Sequence, residues 1–346
     1  MDIPLLSKLS SIKLSFFQKV VILILLVIVM SILGNYYQSK EEDAVQEHFA
    51  DSTGHVIADD DIERTTHTSP YEIYDKFYSK AYDTLFRSEL REQYEIYNIE
   101  HYTIKSPSHK IPSHLKIKPD QIRFLDVGCG TGHHINVIQK KGYIADGADI
   151  SQDMLNRAKT NVQTMRGKWI QADVTQDSDA VSLFTPSTYS HILCMFFTIY
   201  YINDVSTLFD RVHDSLRPGG YFCVHLVHKQ QFDPVLEKSS KLIPMFNPQR
   251  HTKDRVTKTK LKFKDFDYIA DWTIPANSIH VKFREKFLFR RPQRRIRVNE
   301  HELYMRNIAY YTQMAKGKGF AVVKVVELLP ANHAHNYIYI FQKTSM

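Results

Sequence analysis

The stretch Phe124-Leu-Asp-Val-Gly-Cys-Gly-Thr-Gly132 decides the fold. An apolar run ending in a Gly-x-Gly-x-Gly turn brings backbone close to a ligand. Side chains at Gly128, Gly130 and Gly132 would block that approach, and glycine also accepts the positive φ angles such a turn needs. A dinucleotide fingerprint places its third glycine one position later, where His133 stands.

Working outward, Tyr143 to Asp149 reads as a second strand ending in an acid, roughly 20 residues past the glycines, the spacing at which a carboxylate accepts ribose hydroxyls. Asp149 is therefore the expected ribose ligand, with Ser151 capping the helix that follows. Lys168 to Ala172 forms a third strand delivering Asp173, and Ser190 to Phe197 a fourth that runs into Thr198-Ile-Tyr-Tyr-Ile-Asn-Asp204. Val205 to Leu216 has amphipathic helical spacing and is closed by the breaker cluster Arg217-Pro-Gly-Gly220, after which Gly220 to Val227 is a fifth strand. Strands alternating with helical patterns predict a doubly wound, Rossmann-like α/β sheet.

The glycine stretch resembles motif I of the class I S-adenosylmethionine (SAM) methyltransferases, and Arg217-Pro-Gly-Gly220 is placed as in that family. The resemblance covers residues 122–228 well and the tail more loosely. It implies SAM as cofactor, held by Asp126, Gly128, Cys129, Gly130, Gly132, Asp149 and Ile150, with Asp173 and Val174 or the backbone beside them meeting the adenine. It also implies that Phe320 to Leu328 and Tyr337 to Gln342 form the reversed final hairpin of a seven-stranded sheet. Glu300 to Lys318 carries helical spacing ahead of that hairpin.

Pro70 to Tyr102 bears an aromatic stripe at helical offsets. Such a stripe suits packing on a sheet edge. In small-molecule enzymes of this class a segment so placed closes over cofactor and substrate, which makes Tyr74 and Tyr78 lid candidates. Methyl transfer to nitrogen, oxygen, sulfur or carbon needs in-line positioning, and a base where the nucleophile arrives protonated. Tyr200, Tyr201, His134, His225 and His228 lie on the ligand-binding face; Tyr200 and His228 are the catalytic candidates and Tyr201 a substrate contact. Phe197-Thr-Ile-Tyr200 lacks the Asn/Asp-Pro-Pro-aromatic box of amino-methylating DNA enzymes, and Cys194 lacks the neighbouring proline of cytosine C5 enzymes. No Cys/His metal spacing is present, and Cys129, Cys194 and Cys223 read as buried thiols of a reducing compartment.

At the N-terminus, residues 16–37 include the apolar run Val20 to Leu33 flanked by Phe16, Phe17, Tyr36 and Tyr37, about the 20 residues a bilayer requires. The expectation is a single N-terminal transmembrane helix after a short tail (1–15), followed by an acidic, solvated linker (38–68). Lys8, Lys13 and Lys19 precede the anchor and acids follow it, which keeps the N-terminus cytosolic. SAM is a cytosolic cofactor, so the sequence leaves the side of the catalytic domain open. The remaining segments are a helical lid (69–121), the core (122–228), a basic substrate-side insertion (229–298) and the closing helix and strand pair (299–346).

Residues 229–318 hold 21 Lys/Arg against 9 Asp/Glu, whereas the whole chain is only +7. Residues 258–268 and 279–289 alternate charged and apolar side chains and predict a two-stranded basic ribbon. Arg290, Arg291, Arg294 and Arg295 form a cluster that would suit an acidic partner or anionic lipid surface. The reading is thus a membrane-tethered methyltransferase of a small molecule or lipid headgroup. The alternatives are RNA or protein methylation with docking through the insertion, or a silent SAM-binding scaffold; nucleic acid is not favoured.

Overall fold

A computed structural model describes residues 63–105, 119–163, 165–236, 255–290 and 295–344. The anchor (16–37) and nearly all of the linker lie outside the described residues. Among the described residues no helix is long and apolar enough to cross a membrane.

The central sheet has seven strands in the order β11-β12-β6-β5-β2-β3-β4. β2 (Arg123–Val127), β3 (Ile144–Asp149), β4 (Trp169–Gln171), β5 (Tyr189–Cys194) and β6 (Leu216–Val227) are parallel. β11 (Phe320–Glu327) and β12 (Asn336–Lys343) close the edge as an antiparallel pair. The inner strands are continuous buried runs such as Ile192-Leu193-Cys194, because helices cover both faces. On one face α7 (Val205–Ser215) sets Phe209 edge-on to Phe222, 5.2 Å between centroids. On the other, α4 (His133–Lys140) buries Ile135 and Ile138 under α3 (Glu89–Thr103). Arg217-Pro-Gly-Gly220 falls within β6 but outside its pairing, which passes from Tyr189↔Leu216 to His191↔Tyr221, so the breaker cluster forms a bulge.

A second, antiparallel sheet has the order β1-β10-β9-β8-β7: β1 (Glu63–His67), β7 (Lys258–Lys262), β8 (Phe266–Thr273), β9 (His280–Phe289) and β10 (Arg295–Tyr304). Three expectations are corrected here. The basic ribbon is part of a five-stranded sheet, since 258–268 folds into two strands rather than one. The helix expected over 300–318 begins only at Ile308, where the Asn307 side chain accepts the Tyr310 N–H; Glu300 to Tyr304 belongs to β10, which runs across the expected boundary at 298/299. The end of the acidic linker is strand β1 at the sheet edge.

Between the sheets run α1 (Pro70–Ile73) and α2 (Lys76–Phe86), the latter capped by Asp75, which accepts from the Tyr78 N–H. Phe77 meets the rings of Phe266, Phe287 and Phe289 at 5.0–5.8 Å, which fastens α2 to the second sheet. On its other side Asp83 accepts from the Thr131 hydroxyl (2.6 Å) and stands 3.0 Å from His133 Nε2. Burial alone would raise the Asp83 pKa, but the bonds from His133 and Thr131 hold it down at about 2. One helix thus grips both the second sheet and the glycine loop. α5 (Gln152–Asn161), α6 (Asp177–Leu183) and α8 (Ile308–Gly317) complete the layers.

Candidate active site

The three motif glycines all have positive φ, +68° at Gly128, +53° at Gly130 and +80° at Gly132, but they do different work. A Cβ on Gly128 would lie 2.4 Å from Thr198 Cγ2. A Cβ on Gly132 would lie 2.9 Å from Ala158 Cβ and 3.0 Å from Trp169, so this glycine lets α4 start against α5 and β4. At Gly130 a Cβ would meet only ordinary van der Waals contacts, Met154 Cε at 3.6 Å and Tyr82 Cε1 at 4.0 Å. All three residues line a cavity of about 280 Å³ whose walls also include Gly128, Asp149, Ile150, Asp173 and Val174. Six of the expected cofactor residues therefore meet at one place.

Asp149 ends β3 at the cavity wall. Its Oδ2 accepts the Gly130 N–H at 2.8 Å and its Oδ1 the Ser151 N–H at 2.9 Å, which leaves further lone pairs for a diol. Burial raises its pKa to about 6, against the opposing pull of those two N–H groups. Asp173 accepts from the Thr175 N–H and hydroxyl and, at 2.8 Å, from the Tyr71 hydroxyl. Burial and that bond push Tyr71 up to about 12. Asp126, Cys129 and Gly132 do not line the cavity. Cys129 is a buried thiol, and Asp126 lies beneath the loop with neither carboxylate oxygen hydrogen-bonded, its pKa raised by burial to about 7. A carboxylate at the wall with spare acceptor capacity and a glycine loop whose backbone lines the same cavity fit a nucleoside cofactor.

A second cavity of about 130 Å³ shares Tyr74, Tyr82, Thr198 and Tyr201 with the first. Its other walls join aromatic rings (Phe196, Phe197 and Phe232 from the central sheet's loops, and Trp272 stacked on Phe283, 4.4 Å between centroids, from the second sheet) to charged and polar side chains, Arg87, Arg91, Asp233, His333 and Asn336. On the common wall the Tyr74 hydroxyl donates to Tyr201 Oη (2.9 Å), and Tyr201 Oη lies 2.7 Å from His301 Nδ1. His301 Nε2 lies 2.8 Å from Glu285 Oε2, with His301 only 2% exposed and Glu285 fully buried. Tyr268 donates to Glu285 Oε1 (2.6 Å) and Asn299 to Oε2 (3.2 Å). Burial alone would raise the Glu285 pKa, but the bonds from His301 and Tyr268 hold it below the ordinary carboxylate value. Glu285 accepts only, so Nε2 carries a proton; in the neutral imidazole Nδ1 is then the acceptor for Tyr201, whose oxygen already accepts from Tyr74.

Tyr74 and Tyr201 thus reach both cavities, and Tyr78 lines the aromatic one. The two catalytic candidates lie elsewhere. Tyr200 is fully buried, its hydroxyl accepting the Val227 N–H at 2.8 Å, and His228 is exposed beyond the end of β6; neither lines a cavity. His134 is paired with Glu95 at 2.7 Å, and His225 is buried beside Asn336. Of the arginine cluster, Arg290 pairs with Asp267 at 2.5 Å and Arg295 lies 4.5 Å over the Phe289 ring, while Arg291 and Arg294 lie outside the described residues.

Sequence reasoning missed Glu285, His301, Thr198 and Trp272. A signal for Glu285 was present. In β9 it shares its strand face with Val281, Phe283, Phe287 and Phe289, all buried, whereas Lys282, Arg284 and Lys286 occupy the other face.

With a reversed β11–β12 edge, a glycine turn after β2 and an acid closing β3, the domain has the architecture of the SAM-dependent methyltransferases. The match of residues 99–273 to the methyltransferase-domain family model shows that the chain belongs to that family. It is 30% identical over 116 residues to a protein of Geobacillus sp. (strain WCH70) named as a methyltransferase, covering 31% of this chain and 44% of that one. It is 28% identical over 108 residues to an uncharacterized protein of Haemophilus influenzae, covering 28% and 39%. The chain thus matches less than half the length of these curated relatives. In structure it is similar to a SAM-dependent methyltransferase of Clostridium acetobutylicum (15% identity, TM-score 0.54, 80% of this chain and 100% of that one). It is also similar to a sugar N-methyltransferase of Streptoalloteichus sp. (14% identity, TM-score 0.51, 80% and 95%). The family's cofactor is SAM, and the first cavity has the donor set to hold it.

Proposed function

We propose that the protein transfers the methyl group of SAM to a small-molecule acceptor, a lipid headgroup included, held in the aromatic cavity, and that residues 16–37 tether the enzyme to a membrane. One observation carries the reading of the chemistry: the cavity over the glycine loop and the aromatic cavity share the wall made by Tyr74, Tyr82, Thr198 and Tyr201. A cofactor on Asp149 and an acceptor against Trp272 would meet at that wall. The cofactor supplies an electrophilic methyl on a sulfonium. The protein supplies placement, with Asp149 for the ribose, the Gly128–Gly130 backbone alongside, and lid tyrosines that exclude water from the reacting pair.

Size and enclosure favour a small acceptor over RNA or protein, and Arg290 and Arg297 are already engaged within the fold. The test is incubation with methyl-labelled SAM and a cell extract, fractionated into metabolite, lipid, RNA and protein pools. Label in the metabolite or lipid pool is expected. Label confined to RNA or protein would sink the small-acceptor reading.

A further inference from the structure

We infer that Tyr201, His301 and Glu285 form a proton-accepting relay, and that the acceptor is a ring-bearing compound whose nucleophile is a hydroxyl oxygen. The inference rests on the methyltransferase reading above and adds the acceptor's chemistry to it. Its ground is the direction of the hydrogen bonds at the common wall. Tyr74 donates to Tyr201, and when His301 is neutral with its proton on Nε2 against Glu285, Tyr201 donates to Nδ1, so in that state every hydrogen is directed along the chain toward a carboxylate. A phenol oxygen has two acceptor positions. Tyr74 occupies one on Tyr201, and the other is open to a donor arriving in the aromatic cavity.

An acceptor that arrives without a proton to lose, such as a thiolate or a free amine lone pair, gains nothing from such a chain at the step of transfer. A hydroxyl does, since its oxygen becomes strongly nucleophilic only as the proton leaves. As the acceptor oxygen bonds to the methyl carbon, the carbon–sulfur bond breaks and its electron pair stays on sulfur, which becomes a neutral thioether. The hydroxyl proton passes to Tyr201 Oη while the Tyr201 proton passes to His301 Nδ1. The resulting imidazolium is held against Glu285, 2.8 Å away. Glu285 is a positioning residue in this scheme, fixing the tautomer and offsetting the new charge. The titratable groups facing His301 are Glu285 from β9, Tyr201 from the turn after β5, and Tyr74 and Tyr78 from the lid. Tyr268 and, through Asn299, Arg297 bear on the Glu285 end. Within a lining that also holds Arg87, Arg91, Asp233 and His333, the Trp272–Phe283 stack with Phe196, Phe197 and Phe232 offers faces for a planar ring.

The experiment measures methyl transfer from labelled SAM to a series of phenols running from phenol itself to 4-nitrophenol, with the full chain, Tyr201→Phe and Glu285→Gln, and SAM affinity by calorimetry alongside. The parent should show a weak dependence of kcat/KM on phenol acidity. Glu285→Gln, whose side chain lines neither cavity, should bind SAM as the parent does, and each variant should lose on the order of 100-fold with phenol but little with 4-nitrophenol, which reaches the site already ionised. A steep dependence on acidity that appears only in the variants is a signature that simple loosening of the site does not produce. Equal losses across the series would overturn the relay. Transfer by the parent to amines or thiols but to no phenol would overturn the hydroxyl assignment while leaving the methyltransferase reading in place. Absence of SAM binding by the parent would overturn both.

Discussion

Gly130 donates its backbone N–H to Asp149 Oδ2 at 2.8 Å, so the glycine loop and the acid that ends the next strand are one rigid unit. Burial raises the Asp149 pKa to about 6 at the cavity wall, and that of Asp126, beneath the loop and off the cavity, to about 7. Ribose hydroxyls donate to the ionised Asp149 carboxylate, so cofactor binding lowers its pKa. Below about 6 binding must expel a proton. SAM affinity should therefore fall as pH falls through 6, by up to about tenfold per unit, and level off above it, with proton release detectable by calorimetry in buffers of different ionisation enthalpy. Asp149→Ala should weaken SAM by about 1.5–3 kcal/mol, the range for a charged hydrogen-bond partner. An unchanged affinity would remove Asp149 from the ribose site.

Alanine at the two loop glycines should give opposite signatures. Gly128→Ala drives a Cβ to 2.4 Å from Thr198 Cγ2 at φ +68°, so thermal stability should drop clearly. Gly130→Ala meets no atom closer than 3.6 Å, so its structural cost is the backbone strain of about 1–2 kcal/mol. Its methyl stands beside Met154 and Tyr82 at the cavity wall, and loss of SAM affinity should exceed loss of stability. Melting curves with and without SAM distinguish the two.

Arg297 ties α1 and α2 to the second sheet. It reaches Asp75 Oδ2 at 2.6 Å, the Ile73 carbonyl at 2.8 Å and Asn299 at 2.9 Å, and lies 5.2 Å over the Phe77 ring. Arg297→Met should cost about 2 kcal/mol in denaturant unfolding. Amide exchange should speed up over residues 70–86 more than over β2. Uniform acceleration throughout would show that the arginine supports the whole domain rather than α1 and α2.

The anchor reading predicts that the full chain stays with membranes through a carbonate wash, while a chain beginning at Asp60, which keeps β1, moves to the supernatant. Release of the full chain by carbonate would refute it.

The cofactor half was legible because its chemistry is local. Gly128, Gly130 and Asp149 belong to a strand–turn–strand unit whose glycines and terminal acid stand at fixed spacing, and the buried parallel strands announce themselves as apolar runs. The Tyr201–His301–Glu285 cluster was not, because His301 and Glu285 meet only through pairing across the second sheet. His301 lies opposite Phe283 and Asn299 opposite Glu285 in the β9–β10 register. That register is invisible in a stretch whose exposed face is full of lysine and arginine. Leu303, Ile308 and Tyr311 mimicked a helical stripe across a strand end and a helix start, and only the Asn307 cap marks the break. Tyr200 and Tyr201 are neighbours in sequence, yet the single turn they occupy sends one into the core and the other to the cavity wall.

β10 carries Arg297, Asn299 and His301 on alternate positions of a single strand, so one pleated face supplies the fastener of α1 and α2, the carboxylate's partner and the imidazole in turn. The groups that would grasp the cofactor come from a separate part of the chain, between Gly128 and Thr175. A one-residue slip in the β9–β10 hairpin would turn all three side chains to the opposite face of the sheet at once, so insertions there should be tolerated only in pairs.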